Sequence, residues 1–103
     1  MIHKALRLIR QFHGFQQREL SERLGISKSY LSEIESGRKT VSYSLLESYS
    51  EIFEIPTSSL VFLSETLSNE NPTKFYEKFG KAFSGKIIKL LEWLVEKEQN
   101  QKA

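Results

Sequence analysis

An all-α chain is predicted by three observations. Apolar residues recur three and four positions apart along most of the 103 residues, which is the period of one helix face. Gly14, Gly25 and Gly37 fall just past such runs, where a helix can close in the left-handed conformation. Ser27, Ser42 and Thr57 or Ser58 then stand where a side-chain oxygen can accept from a free N–H of the next helix.

The first helix is predicted over Ile2 to Phe12, with Ile2, Leu6, Ile9 and Phe12 on one face and Lys4, Arg7 and Arg10 around it. Gly14 ends it and Phe15 packs inward. His13 and His3 read as surface histidines, since neither has a second histidine on its face or an acid partner nearby. The second helix, Gln16 to Leu24, places Leu20 and Leu24 on one side with the small Ser21 on the same flank. Gly25 turns the chain and Ile26 plugs the angle. The third helix, Ser27 to Ser36, sets Leu31 and Ile34 opposite a polar face of Lys28, Ser29, Ser32 and Glu33. Two helices at a steep angle, with one polar face left open, form a helix-turn-helix.

The polar loop Arg38-Lys39-Thr40 leads to Ser42, and Leu45, Leu46, Tyr49, Ile52 and Phe53 mark a fourth helix. The Ile55-Pro56 step ends it, because the residue before proline is pushed out of the helical basin. A short fifth helix carries Leu60, Val61 and Leu63. Residues 68–72, polar and holding Pro72, read as a linker after a domain over residues 1–67. Phe75, Phe79, Phe83, Ile87, Leu90, Leu91, Trp93 and Leu94 then outline an amphipathic helical segment over residues 73–98, weakened near Ser84-Gly85, with a frayed tail at 99–103.

The spacing of Gln17, Leu20, Ser21, Leu24, Gly25, Ile26, Ser27, Leu31, Ile34, Glu35 and Gly37 resembles the Cro/lambda-repressor (Xre) family of DNA-binding domains, in register from about Ile2 to Leu67. The resemblance implies a five-helix lambda-repressor-like domain of bacterial or phage origin, with the additional C-terminal segment outside it. Relatives often cap the second helix with Ser or Thr, so Gln16 is a departure. Lys28, Ser29, Ser32 and Glu33 of the third helix are then expected at base edges in the major groove. Gln17, Ser27, Tyr30, Arg38, Lys39, Ser42 and Tyr43 are expected at phosphates. Arg10 and Glu35 match positions where relatives carry an ion pair tying the first helix to the third.

Charge supports this reading. Net charge is only +2, but Met1 to Lys39 holds eight Lys/Arg against four Glu, while Thr40 to Leu67 holds four Glu and no Lys/Arg. The basic half is the one carrying the reading helix, as phosphate attraction requires. Enzyme chemistry finds little footing: all 13 acids are Glu, histidines number two, and no cysteine, glycine-rich phosphate loop or metal-ligand spacing occurs. No cofactor, metal or small-molecule ligand is expected, and no membrane association. A cytoplasmic, nucleoid-associated protein is the expectation.

The C-terminal segment has two readings. It folds back as a sixth helix, or it pairs with a second copy. The second is preferred because the five-helix pattern is already complete and a long exposed apolar stripe marks an interface. The function expected is a sequence-specific transcriptional repressor or autoregulator, binding double-stranded DNA at an inverted-repeat operator as a homodimer. Two alternatives stand beside it: an antitoxin-like module whose C-terminal segment holds a partner protein, and a restriction-modification controller.

Overall fold

In a computed structural model, the residues described are 2–69, together with 73, 77, 89, 90 and 92–97, the side chains of 66–69 excepted. Five helices follow one another: α1 Ile2–Phe12, α2 Gln17–Leu24, α3 Lys28–Ser36, α4 Tyr43–Phe53 and α5 Thr57–Asn69. Residues 92–97 are helical as well, and no strand occurs among the described residues.

The apolar stripes meet in one core. α1 buries Ala5, Leu6 and Ile9 and lies against α5 and α3. Leu20 of α2, Leu31 and Ile34 of α3, Tyr49 and Phe53 of α4, then Ile55, Leu60 and Leu63, complete it. Full burial of one such side chain contributes about 1.5–3 kcal/mol, so the packing of α1 alone over α3 and α5 outweighs any surface ion pair in the molecule.

Helix ends set the turn geometry. Gln16 is the cap residue of α2 rather than its first turn, and Glu19 Oε1 accepts from the Gln16 N–H at 3.1 Å. The carboxylate thus satisfies the N–H of the cap residue itself, a different donor from the first-turn N–H that a Ser or Thr cap oxygen would take. Ser27 Oγ accepts from the Tyr30 N–H at 3.0 Å, so α3 begins one residue later, at Lys28. Ser42 Oγ caps α4 through the Leu45 N–H at 3.1 Å. Gly25, at φ 73°, reverses the chain between α2 and α3 while Ile26 N–H returns to the Ser21 carbonyl.

Gly37 carries two constraints. Its φ of 84° is left-handed, and a Cβ there would stand 3.2 Å from the His3 ring. His3 is therefore not a free surface residue but a half-buried cover over the end of α3. Burial, then the N-terminal charge, Lys4 and Arg7, hold its pKa below the ordinary histidine value. Gly37→Ala is expected to destabilise the fold by about 1–2 kcal/mol from backbone strain, plus displacement of His3. Chemical denaturation of the two proteins tests this, and equal midpoints would contradict it.

Three other expectations are corrected. His13 is packed, not merely exposed: its ring lies 4.5 Å from that of Phe53, and its Nδ1 stands 2.8 Å from the Ile9 carbonyl oxygen, to which it must donate. α5 is not short. It runs 13 residues from Thr57, which is its first residue rather than its cap, and enters the stretch read as a linker by reaching Asn69. Leu90 and Leu94, expected at a dimer contact, are 0% and 4% exposed inside the core of their own chain. Trp93 packs beside them, its ring 5.6 Å from that of Phe12, with Lys97 Nζ 5.0 Å above it and 3.3 Å from Gln11 Oε1. The first five helices leave apolar surface on α1, and this segment covers it. Phe75, Phe79, Phe83, Ile87, Leu91 and the Ser84-Gly85 break lie outside the described residues.

Candidate nucleic-acid interface

The reading face begins with the helical period of α3. Leu31, Ile34 and Glu35 turn inward, and Lys28, Ser29, Ser32 and Ser36 are exposed on the other side. Glu33 is half-buried at the edge of this face, its carboxylate 3.8 Å from Lys39 Nζ. Both side chains reach solvent, at 55% and 40% exposure, so the pair contributes little to stability. Its effect is local: it sets a cation against the one acid of the reading face. Ser36 was missed in the sequence, although the spacing from Ser29 and Ser32 places it at the centre of that face. Its hydroxyl donates to the Glu33 carbonyl at 3.0 Å.

α3 is held in place from below. Arg10 Nε and Nη2 meet Glu35 Oε2 and Oε1 at 2.7 and 3.0 Å, and Arg10 Nη1 donates to the Phe15 carbonyl at 2.8 Å. Gln17 Nε2 adds a third bond to Glu35 Oε1 at 3.0 Å. The Glu35 side chain is 2% exposed and that of Arg10 12%. One buried carboxylate thus ties α1, α2 and α3 together, and no base or phosphate can reach it. Bidentate charge-assisted pairs of this kind fix orientation as well as distance.

Gln17 has two settings at once, because the same side chain lines the surface above. An open depression of about 490 Å³ is bordered by Arg10, Gln16, Gln17, Arg18 and Lys28. A neighbouring one of about 290 Å³ is bordered by Gln17, Lys28, Ser29 and Ser32. The larger has Arg18 and Lys28 on its rim beside Arg10, whose charge Glu35 already meets, and it lies at the N-terminal end of α2, where backbone N–H groups favour anions. Ser27, Tyr30, Arg38, Lys39, Ser42 and Tyr43 are all exposed around the reading helix, with Tyr30 at 39% and Tyr43 at 66%. The Ser27 oxygen accepts a capping bond, which leaves its hydroxyl hydrogen able to donate outward, while Ser42 Oγ caps α4 and also stands 3.4 Å from Ser44 Oγ.

Tyr49 lies in the core and its hydroxyl has no hydrogen-bond partner among the described residues. Burial, then the Glu35 carboxylate, pushes its pKa well above the ordinary tyrosine value, with Arg10 acting in the opposite sense. Tyr49→Phe is therefore expected to leave stability unchanged or raise it by about 1 kcal/mol, since an orphaned buried hydroxyl gains nothing by staying. A drop in the melting temperature would show that the hydroxyl has a partner in solution.

Among the described residues no group of three or more His, Cys, Asp or Glu is placed to hold a metal ion. No helix among them is long and apolar enough to cross a membrane.

A helix with an exposed polar face, held by its neighbours beside a cationic notch, is the arrangement of a DNA-binding helix-turn-helix. Comparison with known proteins agrees. The family model described as a helix-turn-helix domain matches residues 4–65. The chain belongs to this helix-turn-helix family, with an Xre-like DNA-binding domain. A competence pilus inhibition repressor of Acinetobacter baylyi is 32% identical over 69 residues, which make up 67% of this chain and 63% of that protein. The chain thus spans less than two thirds of that relative's length. No solved structure matches it.

Proposed function

We propose that the chain is a repressor that binds an inverted-repeat operator as a homodimer, with α3 in the major groove. The observation that carries this is the Arg10–Glu35–Gln17 network, which fixes α3 so that Lys28, Ser29, Ser32 and Glu33 face outward beside the cationic notch. In this reading those four residues meet base edges. Gln17, Ser27, Tyr30, Arg38, Lys39, Ser42 and Tyr43 meet phosphates, which set register but carry no sequence information. The Acinetobacter baylyi relative is named as a repressor, which supports repression as the outcome. A nucleoid-bound, cytoplasmic protein follows from the same reading.

A homodimer places two reading helices one DNA turn apart, about 34 Å. Pairing through the C-terminal segment must draw on residues other than Leu90 and Leu94, whose surface is already used within the chain. The test is selection of bound sites from random-sequence DNA by the full chain, with its mass measured by sedimentation. A dimer selecting an inverted repeat is expected. A monomer that enriches no sequence would overturn the proposal.

A further inference from the structure

The chemistry exposed on α3 is narrow enough to say what kind of operator it reads. Building on the operator-binding reading above, we infer that each half-site contains G·C pairs at two positions, a guanine addressed by Lys28 and a cytosine addressed by Glu33.

The inference starts from what the reading face lacks. Its outward residues are Lys28, Ser29, Ser32, Glu33 and Ser36. No aliphatic side chain is there to meet a thymine methyl group, and no Asn or Gln is there to grip adenine by N6 and N7 together. Gln16 and Gln17 belong to α2 and its cap, outside the reading helix, and one N–H of Gln17 is held by the buried Glu35 carboxylate. The serines donate and accept alike and so discriminate weakly.

That leaves one cation and one anion to choose bases. An ammonium group can only donate. Guanine offers it two acceptors, O6 and N7, whereas adenine sets the N6 donor beside its N7, and thymine offers O4 beside a methyl group. A carboxylate can only accept. Cytosine offers it the N4 donor alone, whereas adenine's N6 donor stands next to the N7 lone pair, which repels it. Lys28 and Glu33 are five residues apart, about 7.5 Å along the helix axis and at opposite ends of the reading face, so they stand at separate places in the groove. They therefore address different base pairs.

A carboxylate in the groove is repelled by phosphates, and the fold supplies the remedy. Lys39 Nζ stands 3.8 Å from Glu33 Oε2, arriving from the loop beyond Gly37. Lys28 lies at the opposite end of α3. The acid is thus flanked by a cation on its own side while its remaining lone pairs stay available.

The experiment repeats the random-sequence selection with the full-length wild type, Glu33→Gln and Lys28→Met. Circular dichroism checks that each variant is folded, which their exposure predicts. In the wild type, cytosine is expected at one half-site position and guanine at another, each favoured about 5- to 150-fold. Glu33→Gln is expected to switch the cytosine position to adenine, because an amide can bond N6 and N7 at once. Lys28→Met is expected to erase the guanine preference and leave the cytosine in place. A wild-type inverted repeat whose G·C positions ignore both substitutions, or that contains none, would overturn this inference and leave the operator reading standing. Failure of the wild type to enrich any sequence would overturn both.

Discussion

Glu35→Ala is expected to lower the stability of the domain by about 3–5 kcal/mol, the range found when one member of a buried ion pair is removed. The reason lies in what remains. Arg10 keeps its charge and its burial but retains only the Phe15 carbonyl, and Gln17 Nε2 loses its acceptor. A guanidinium 12% exposed cannot recover its hydration without moving α1 away from α3. Since a small domain has roughly 5–15 kcal/mol in total, this is a large share, and the melting temperature should fall by more than about 10 °C. The complementary experiment replaces both partners with apolar residues, Arg10→Met with Glu35→Leu. That double variant should recover much of the loss, because the uncompensated charge, not the missing attraction, dominates the single one. If Glu35→Ala shifts stability by less than 1 kcal/mol, the pair is hydrated in solution and cannot be what orients α3.

The elements of this fold were legible where side chains announce themselves locally. Gly25 and Gly37 mark the ends of α2 and α3, and Ser27 and Ser42 mark the starts of α3 and α4, because each acts within four residues of its own position. The end of α4 was less so. Its left-handed closing residue is Glu54, at φ 56°, a type that gives no such signal. α5 continues past Leu63, the last apolar position that marks it in the sequence: Ser64 is buried and its hydroxyl donates to the Val61 carbonyl at 2.7 Å, satisfying itself within the helix.

Longer-range relations fared according to their source. Arg10 and Glu35 are 25 residues apart, and nothing in periodicity links them; only resemblance to a family did. Gln17 as the third member of that network, and His3 as the cover over Gly37, had no sequence signal at all. Apolar spacing shows that a stripe is buried but not against what. For Leu90 and Leu94 the answer is the chain's own core, and the preference for a second copy rested on counting the five-helix pattern as closed.

That last point has a measurable consequence. Leu90→Ala is expected to destabilise the helix-turn-helix domain itself, by about 2–5 kcal/mol, because it removes buried methyl groups and leaves a cavity between the C-terminal turns and the first five helices. Leu94→Ala should behave alike, while Lys97→Ala, which loses only an exposed contact to Gln11 and to the Trp93 ring, should change stability by less than about 1 kcal/mol. Thermal unfolding followed by circular dichroism across a hundredfold range of protein concentration separates the two ways this segment could be covered. Packing within one chain predicts a melting temperature for Leu90→Ala that is low at every concentration, because the lost contact is intramolecular. Packing across two chains makes melting rise with concentration, since association then stabilises the folded state by mass action. A concentration-dependent transition that Leu90→Ala abolishes would show that these turns seat on the partner copy. A Leu90→Ala loss independent of concentration places them in the domain, so that a chain ending at Leu67 loses part of its core together with any dimer contact.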